Sequence, residues 1–291
     1  IDAAVGSGAD AVKFQTFHAE EFMADRELAY EYESGGVTVK ESMYEMFKRL
    51  QLPESWHPEL RDYARSRGVE FLSSTADIEA VELLVGLGVP ALKIASEDLI
   101  NLPLLEYVSL QDIPVILSTG MADELEIDQA VQILRDGGCS DLLLLHCVSL
   151  YPTPENEMNL LRMVGLQQRY GTQVGLSDHT ISNNAAILAT GLGAVMIEKH
   201  FTLDRNLSGP DHAISADPQD LSNLVRDVRK TTEMLGSREL IPSPGERKSS
   251  RIQFRRSVVA AVRISSGSVI SKDMLHLKRP GDGIQPRDMD E

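Results

Sequence analysis

Short runs of consecutive apolar residues alternate along the chain with longer stretches in which apolar residues recur every three or four positions. The short runs are Ala9–Phe14, Val69–Ser74, Ala91–Ser96, Pro114–Thr119, Asp141–Cys147, Gln173–Ser177 and Ala194–His200. Unbroken rather than alternating hydrophobicity marks strands covered on both faces, as in a parallel sheet wrapped by helices or closed into a barrel. The intervening stretches predict amphipathic helices. In DELEIDQAVQILRDGG, Ile127, Ala130, Val131 and Leu134 fall on one face, with Asp123 placed to cap the start and Gly137 to end the helix. A second helix opens at Asp217-Pro218, repeats Leu221, Leu224, Val225 and Val228, and closes at Gly236. The alternation predicts an α/β fold: a (β/α)8 barrel over residues 1–236, N-terminally truncated so that its first strand is missing from this chain. A doubly wound open sheet is the competing architecture, but no G-x-G-x-x-G turn follows the early strands.

Beyond this helix the pattern changes. Residues 237–256, SRELIPSPGERKSSRIQFRR, combine prolines, serines and arginines and read as a linker. Residues 257–291 predict a strand in SVVAAVRI, a turn at SSG and a short helix in SKDMLHLKRPGDG, a small β-rich module. So short a module cannot bury a core of its own, and it reads as a partial domain or one packed on something else.

Composition narrows the classes. With 291 residues, 42% of them hydrophobic, the chain can bury one large core, and no apolar run approaches a membrane span. A formal net charge of −16 argues against a nucleic-acid partner, whose phosphates need a basic surface. The two cysteines, Cys139 and Cys147, are too few for a disulfide framework, which favours a reduced, cytoplasmic protein.

The chemistry concentrates at the carboxyl ends of the predicted strands. His179 in VGLSDHT and His200 in MIEKHF each stand just past such a run, one strand-helix unit apart. Neighbouring parallel strands end at the same edge, so both imidazoles can reach one divalent ion; the competing reading is a pair of strand-end histidines that orient a loop. Lys13, Lys93 and Lys199 also end strands, and three ammonium groups at one rim make a positive well for a small anion, with hydroxyl donors from Ser96, Ser118 and Ser177. Each lysine could instead snorkel into solvent. Gln15 shares a strand face with Lys13. Asp98 and Asp211 lie on rim loops, suited to gripping sugar hydroxyls or activating water, although Asp211 beside Gly209-Pro210 also reads as a turn aspartate. Tyr151-Pro152-Thr153-Pro154 predicts a stiff pocket wall, and His146, behind four leucines, reads as a core histidine.

Taken together, ADAVKFQTF, FLSSTADIEAV, ALKIASEDLINLPLL, PVILSTGM, HCVSLYPTP, GLSDHT, EKHFTLDRNLSGPDHAIS and RRSVVAA…RPGDGI resemble the sialic acid synthase family, enzymes that condense phosphoenolpyruvate with an amino sugar. The resemblance covers nearly the whole chain. It implies a barrel followed by an antifreeze-like (SAF) domain, in a domain-swapped homodimer. It assigns His179 and His200 to a divalent metal, Mn2+ with Mg2+ or Co2+ as alternatives. Around phosphoenolpyruvate it sets Lys13, Gln15, Thr75, Lys93, Ser96, Ser118, Tyr151 and Ser177. Asp98, Asp211 and the partner subunit's Arg279 fall at positions that contact or guard the sugar. The implied product is N-acetylneuraminate from N-acetylmannosamine, with legionaminic or pseudaminic acid from a 2,4-diacetamido-trideoxyhexose as the alternative. A non-catalytic sugar-phosphate binding protein is the rival of another class. Glu97 stands where relatives commonly have glycine, Ser149 where some have asparagine, and the first-strand segment with its expected glutamate is missing.

Overall fold

The computed structural model describes residues 1–289, so positions 290–291 of the small C-terminal module lie outside the described residues. The chain divides into two units, Ile1–Leu235 and Gly236–Glu291.

In the first unit, strands β1 (Ala11–Thr16), β4 (Glu70–Thr75), β5 (Leu92–Ile94), β6 (Val115–Ser118), β7 (Leu142–Cys147), β8 (Gln173–Asp178) and β9 (Ile197–Lys199) form one seven-stranded parallel sheet in that order. The order never reverses, as it would in a doubly wound sheet. The sheet curls: Lys13 of β1 lies 3.4 Å from Glu198 of β9, and Val12 and Ile197 pack on the same apolar cluster, so the two outer strands face one another. The fold is therefore barrel-like.

Its core has two layers. Outside the sheet, Leu92, Ile94, Leu117, Leu144, Val174 and Leu176 pack in one cluster with helix residues such as Leu84, Leu105, Leu134 and Met163. Inside, Leu72, Ala91, Ile116 and Leu145 close on one another with Leu143 and Met196. Gly175 shares this interior; a Cβ there would come within 2.6 Å of both Leu145 Cδ2 and the Met196 carbonyl, so a larger residue would overpack it.

After α1 (Asp2–Gly6), α2 (Ala19–Phe22) and α3 (Met43–Leu50), the outer layer is built from α4 (His57–Ser66), α5 (Ile78–Leu87), α6 (Leu102–Ser109), α7 (Glu124–Asp136), α8 (Leu161–Tyr170), α9 (Asn184–Gly191) and α10 (Pro218–Leu235). Local sequence sets their ends. Asp123 and Glu126 form a reciprocal capping box at the start of α7, and Ile127, Ala130, Val131 and Leu134 are its buried face. Gly236 follows α10 with φ +56, a left-handed conformation that glycine adopts freely.

One element was not anticipated. Between β1 and α4, β2 (Ala29–Ser34) and β3 (Val37–Ser42) form an antiparallel hairpin turning at Gly35-Gly36, both with positive φ. Its strands alternate polar and apolar residues and are largely solvent-facing, so they lack the continuous apolar run that marked the barrel strands.

In the second unit, β10 (Ser257–Ala260) pairs antiparallel with β11 (Leu275–Lys278). The strand predicted in SVVAAVRI is thus shorter, and the helix predicted in SKDMLHLKRPGDG is a single 3-10 turn, Lys272–Met274, leading into β11. The segment read as a linker carries helical structure: a π-turn, Glu246–Ser250, runs into α11 (Arg251–Phe254). Among the described residues no helix is long and apolar enough to cross a membrane.

Candidate active site

Strand alternation explains where the polar groups gather. Interior residues at the bottom of the sheet are Leu72, Ala91, Ile116, Leu145 and Met196; two positions further along the same strands stand Ser74, Lys93, Ser118, Cys147 and Glu198. Another two bring Ser177 to His179 and Glu198 to His200. Each strand is therefore apolar where it fills the barrel and polar where it reaches the mouth, at the carboxyl edge where β/α barrels place their chemistry.

His179 and His200 meet there, with ring centroids 5.2 Å apart. Tyr151 flanks both, 4.3 Å from the His179 ring and 6.0 Å from the His200 ring. His179 Nδ1 lies 2.8 Å from the Val148 carbonyl and His200 Nδ1 lies 3.4 Å from Asp211 Oδ2. Neither Nε2 has a hydrogen-bond partner among the described residues. Imidazole–metal bonds are about 2.0–2.1 Å, and rings at this separation can share one ion. Among the described residues no three His, Cys, Asp or Glu side chains gather as a metal-ligand set, and the imidazole pair is the candidate donor set. That donor set fits a divalent ion with coordination positions left for substrate and water.

Beside the rings is a charged cluster. Lys93 is buried and donates to Ser118 Oγ at 2.7 Å and to the Ile94 carbonyl at 2.9 Å. Desolvation brings its pKa down to about 8, with the nearby Glu198 carboxylate working in the opposite direction. Burial alone would raise the Glu198 carboxyl, but Lys13, Lys93 and the Ser177 hydroxyl, which donates to it at 2.7 Å, outweigh burial and hold it at about 2. Lys13, Lys93 and Glu198 thus form one network across the mouth. Ser96 is buried next to it; its Oγ accepts from Gly120 N–H at 3.0 Å, and a Cβ on Gly120 would sit 2.7 Å from that oxygen and 3.1 Å from Cys147 Sγ.

The other predicted residues are placed differently. Lys199 points away from this network: its ammonium pairs with Asp178 at 2.8 Å and with the Thr180 carbonyl, so two lysines rather than three converge. Thr75 has the opposite strand parity to Ser74, and its hydroxyl donates to the Asp77 carbonyl. Gln15 is exposed on the same face of β1 as Lys13, in register with Ser74. Asp98 is buried, one of its oxygens lacks a partner among the described residues, and desolvation followed by the Glu97 charge raises it to about 7. Asp211 belongs with the imidazoles: burial opposes its ionisation, but His200 outweighs it and holds the carboxyl below its usual range. In the second unit, Arg279 donates to the Phe254 carbonyl at 3.0 Å and lies over its ring. His146 is a core histidine, its Nε2 bonded to the Met158 carbonyl at 2.6 Å.

Two residues escaped the sequence reading. Glu198, not among the residues singled out from the sequence, is the anion that holds Lys13, at 3.4 Å; its strand parity with His200 was the available signal. Cys147, read from the sequence only as one of two cysteines too few for a disulfide framework, has its thiol 4.0 Å from His179 Nδ1 and held below its usual range: burial would raise it, but the His179, Ser96 and Lys93 interactions outweigh burial.

The fold and site define a β/α-barrel enzyme with paired imidazoles and a cationic pocket at the carboxyl edge of its sheet. The NeuB family model matches residues 1–240 and the SAF domain model residues 255–291, and the chain belongs to the NeuB family. It is 41% identical to the N,N'-diacetyllegionaminic acid synthase of Legionella pneumophila, covering 99% of this chain and 82% of that one. It is 36% identical to the pseudaminic acid synthase of Helicobacter pylori, covering 97% and 82%. Among solved structures, the N-acetylneuraminic acid synthetase of Leptospira borgpetersenii superposes with a TM-score of 0.76 at 33% identity, covering 85% of this chain and 81% of that one.

Proposed function

We propose that the protein condenses phosphoenolpyruvate with the open-chain aldehyde of an N-acylated amino sugar to give a nonulosonic acid and inorganic phosphate. The observation that carries this reading is the His179/His200 pair, 5.2 Å between ring centroids, beside the Lys13–Glu198–Lys93 network. The enol carbon forms a bond to the aldehyde carbon, water adds to the carbon bearing the phosphate ester, and phosphate leaves with C–O cleavage. Lys13 and Lys93, with hydroxyls from Ser96, Ser118 and Ser177, hold the anionic groups where charge develops. A divalent cation held by His179 and His200, Mn2+ with Mg2+ or Co2+ as alternatives, would supply polarisation of the aldehyde oxygen. Asp98, with a pKa near 7, is suited to exchange a proton with a sugar hydroxyl, and Tyr151 walls the site. In this reading the active form is a domain-swapped homodimer in which the partner subunit's Arg279 guards the sugar.

Identity runs higher with the Legionella synthase, at 41%, than with the Helicobacter and Leptospira proteins, at 36% and 33%. This favours a 2,4-diacetamido-trideoxyhexose and a legionaminic-type product over the N-acetylmannosamine expected from sequence. Phosphate release is measured with phosphoenolpyruvate, Mn2+ and each sugar in turn. The manno-configured 2,4-diacetamido-trideoxyhexose is expected to give the highest kcat/KM. No release with any amino sugar would overturn the synthase reading in favour of a sugar-phosphate binding protein.

A further inference from the structure

We propose that Asp211 is a positioning residue for the metal site: its carboxylate accepts from Nδ1 of His200 and turns Nε2 toward the ion, as the Val148 carbonyl does for His179. The inference rests on the metal reading above. A carbonyl oxygen only accepts, so His179 Nδ1, 2.8 Å from Val148 O, carries the proton and its Nε2 keeps the lone pair. A carboxylate likewise only accepts, so in a neutral His200 ring it favours the proton on Nδ1, which lies 3.4 Å from Asp211 Oδ2. Both rings then present Nε2 as the free donor, the arrangement by which outer hydrogen-bond partners fix ligating imidazoles.

Asp211 is itself held in place rather than carried on a slack loop. Ser215 Oγ donates to its carbonyl at 2.7 Å, and neighbouring His212 bonds Thr202 Oγ1 through Nδ1 at 2.6 Å. The tip of the β2–β3 hairpin braces the same loop, with the buried Ser34 Oγ accepting from Gly209 N–H at 3.1 Å. A Cβ on Gly209 would lie 2.9 Å from His212 Cδ2, so the loop closes this tightly only with glycine there.

Mn2+ affinity is measured by paramagnetic resonance titration, without substrates, for the wild type, Asp211→Ala and Asp211→Asn, with the sugar KM measured in parallel. Asp211→Ala is expected to weaken Mn2+ binding about 10–100-fold. Asp211→Asn should lose less than about tenfold, because its amide oxygen still accepts from Nδ1. Proton–nitrogen correlation spectra of the metal-free protein should show both rings protonated on Nδ1, with Asp211→Ala losing that tautomer at His200 alone. Wild-type Mn2+ affinity in Asp211→Ala with only a raised sugar KM would make Asp211 a sugar contact and overturn the inference. Equal losses in the two variants would also overturn it, assigning the effect to charge. A wild type that binds no divalent ion would instead sink the metal reading itself, and this inference with it.

Discussion

Lys93 brings a cation into the barrel at a cost that pH can expose. Only 2% of its surface is accessible, and desolvation lowers its pKa from 10.5 to about 8. If the ammonium form holds phosphoenolpyruvate, the KM for phosphoenolpyruvate should climb as pH rises through about 8, and Lys93→Met should weaken binding while flattening that profile. Stability runs the other way. Between about 8 and 10.5 the unfolded chain binds the proton more tightly than the native one, so this residue makes stability increase with pH across the window. A wild-type KM unchanged from about pH 7 to about 9.5 would remove Lys93 from the anion site. Much at this scale was legible from strand parity: Lys13 with Gln15, Ser177 with His179, and Glu198 with His200 share faces by the rule of two. The same rule places adjacent Glu198 and Lys199 on opposite faces, which is why the expected third ammonium is absent from the cluster. Parity does not report burial or partners, so neither the raised Asp98 carboxyl nor the Cys147–His179 contact could be read from the chain.

Among the elements, those with strong periodicity declared themselves. The barrel strands follow from unbroken apolar runs, and α7 and α10 from spaced apolar faces with caps at both ends. The β2–β3 hairpin has little buried surface, so hydrophobic pattern could not reveal it; only the Gly35-Gly36 turn between alternating residues was available. Its tip nevertheless reaches the loop that carries Asp211. Ser34→Ala leaves the Gly209 N–H without its acceptor in a buried place, a loss of about 1–3 kcal/mol at that contact. The effect should be a raised sugar KM and weaker Mn2+ binding with the phosphoenolpyruvate KM unchanged, because Lys13 and Lys93 sit on strands rather than on this loop. A rise in the phosphoenolpyruvate KM alone would show that the hairpin supports a different part of the mouth.

At the scale of the whole molecule, the proposed homodimer makes a quantitative demand. His200→Ala lacks one of the two imidazoles in its barrel but carries an intact Arg279; Arg279→Ala has an intact barrel and lacks the guanidinium. Each alone should be nearly inactive if the partner subunit supplies Arg279 to the site. Co-refolded in equal amounts, the two reassort so that half of the dimers are mixed, and every mixed dimer holds one site with a complete barrel facing a complete Arg279. The mixture should therefore recover about a quarter of the wild-type rate. If Arg279 instead served the barrel of its own chain, both barrels of every mixed dimer would stay defective and mixing would restore nothing. Recovery near one quarter, set against no recovery, decides between an exchanged and a self-contained arrangement.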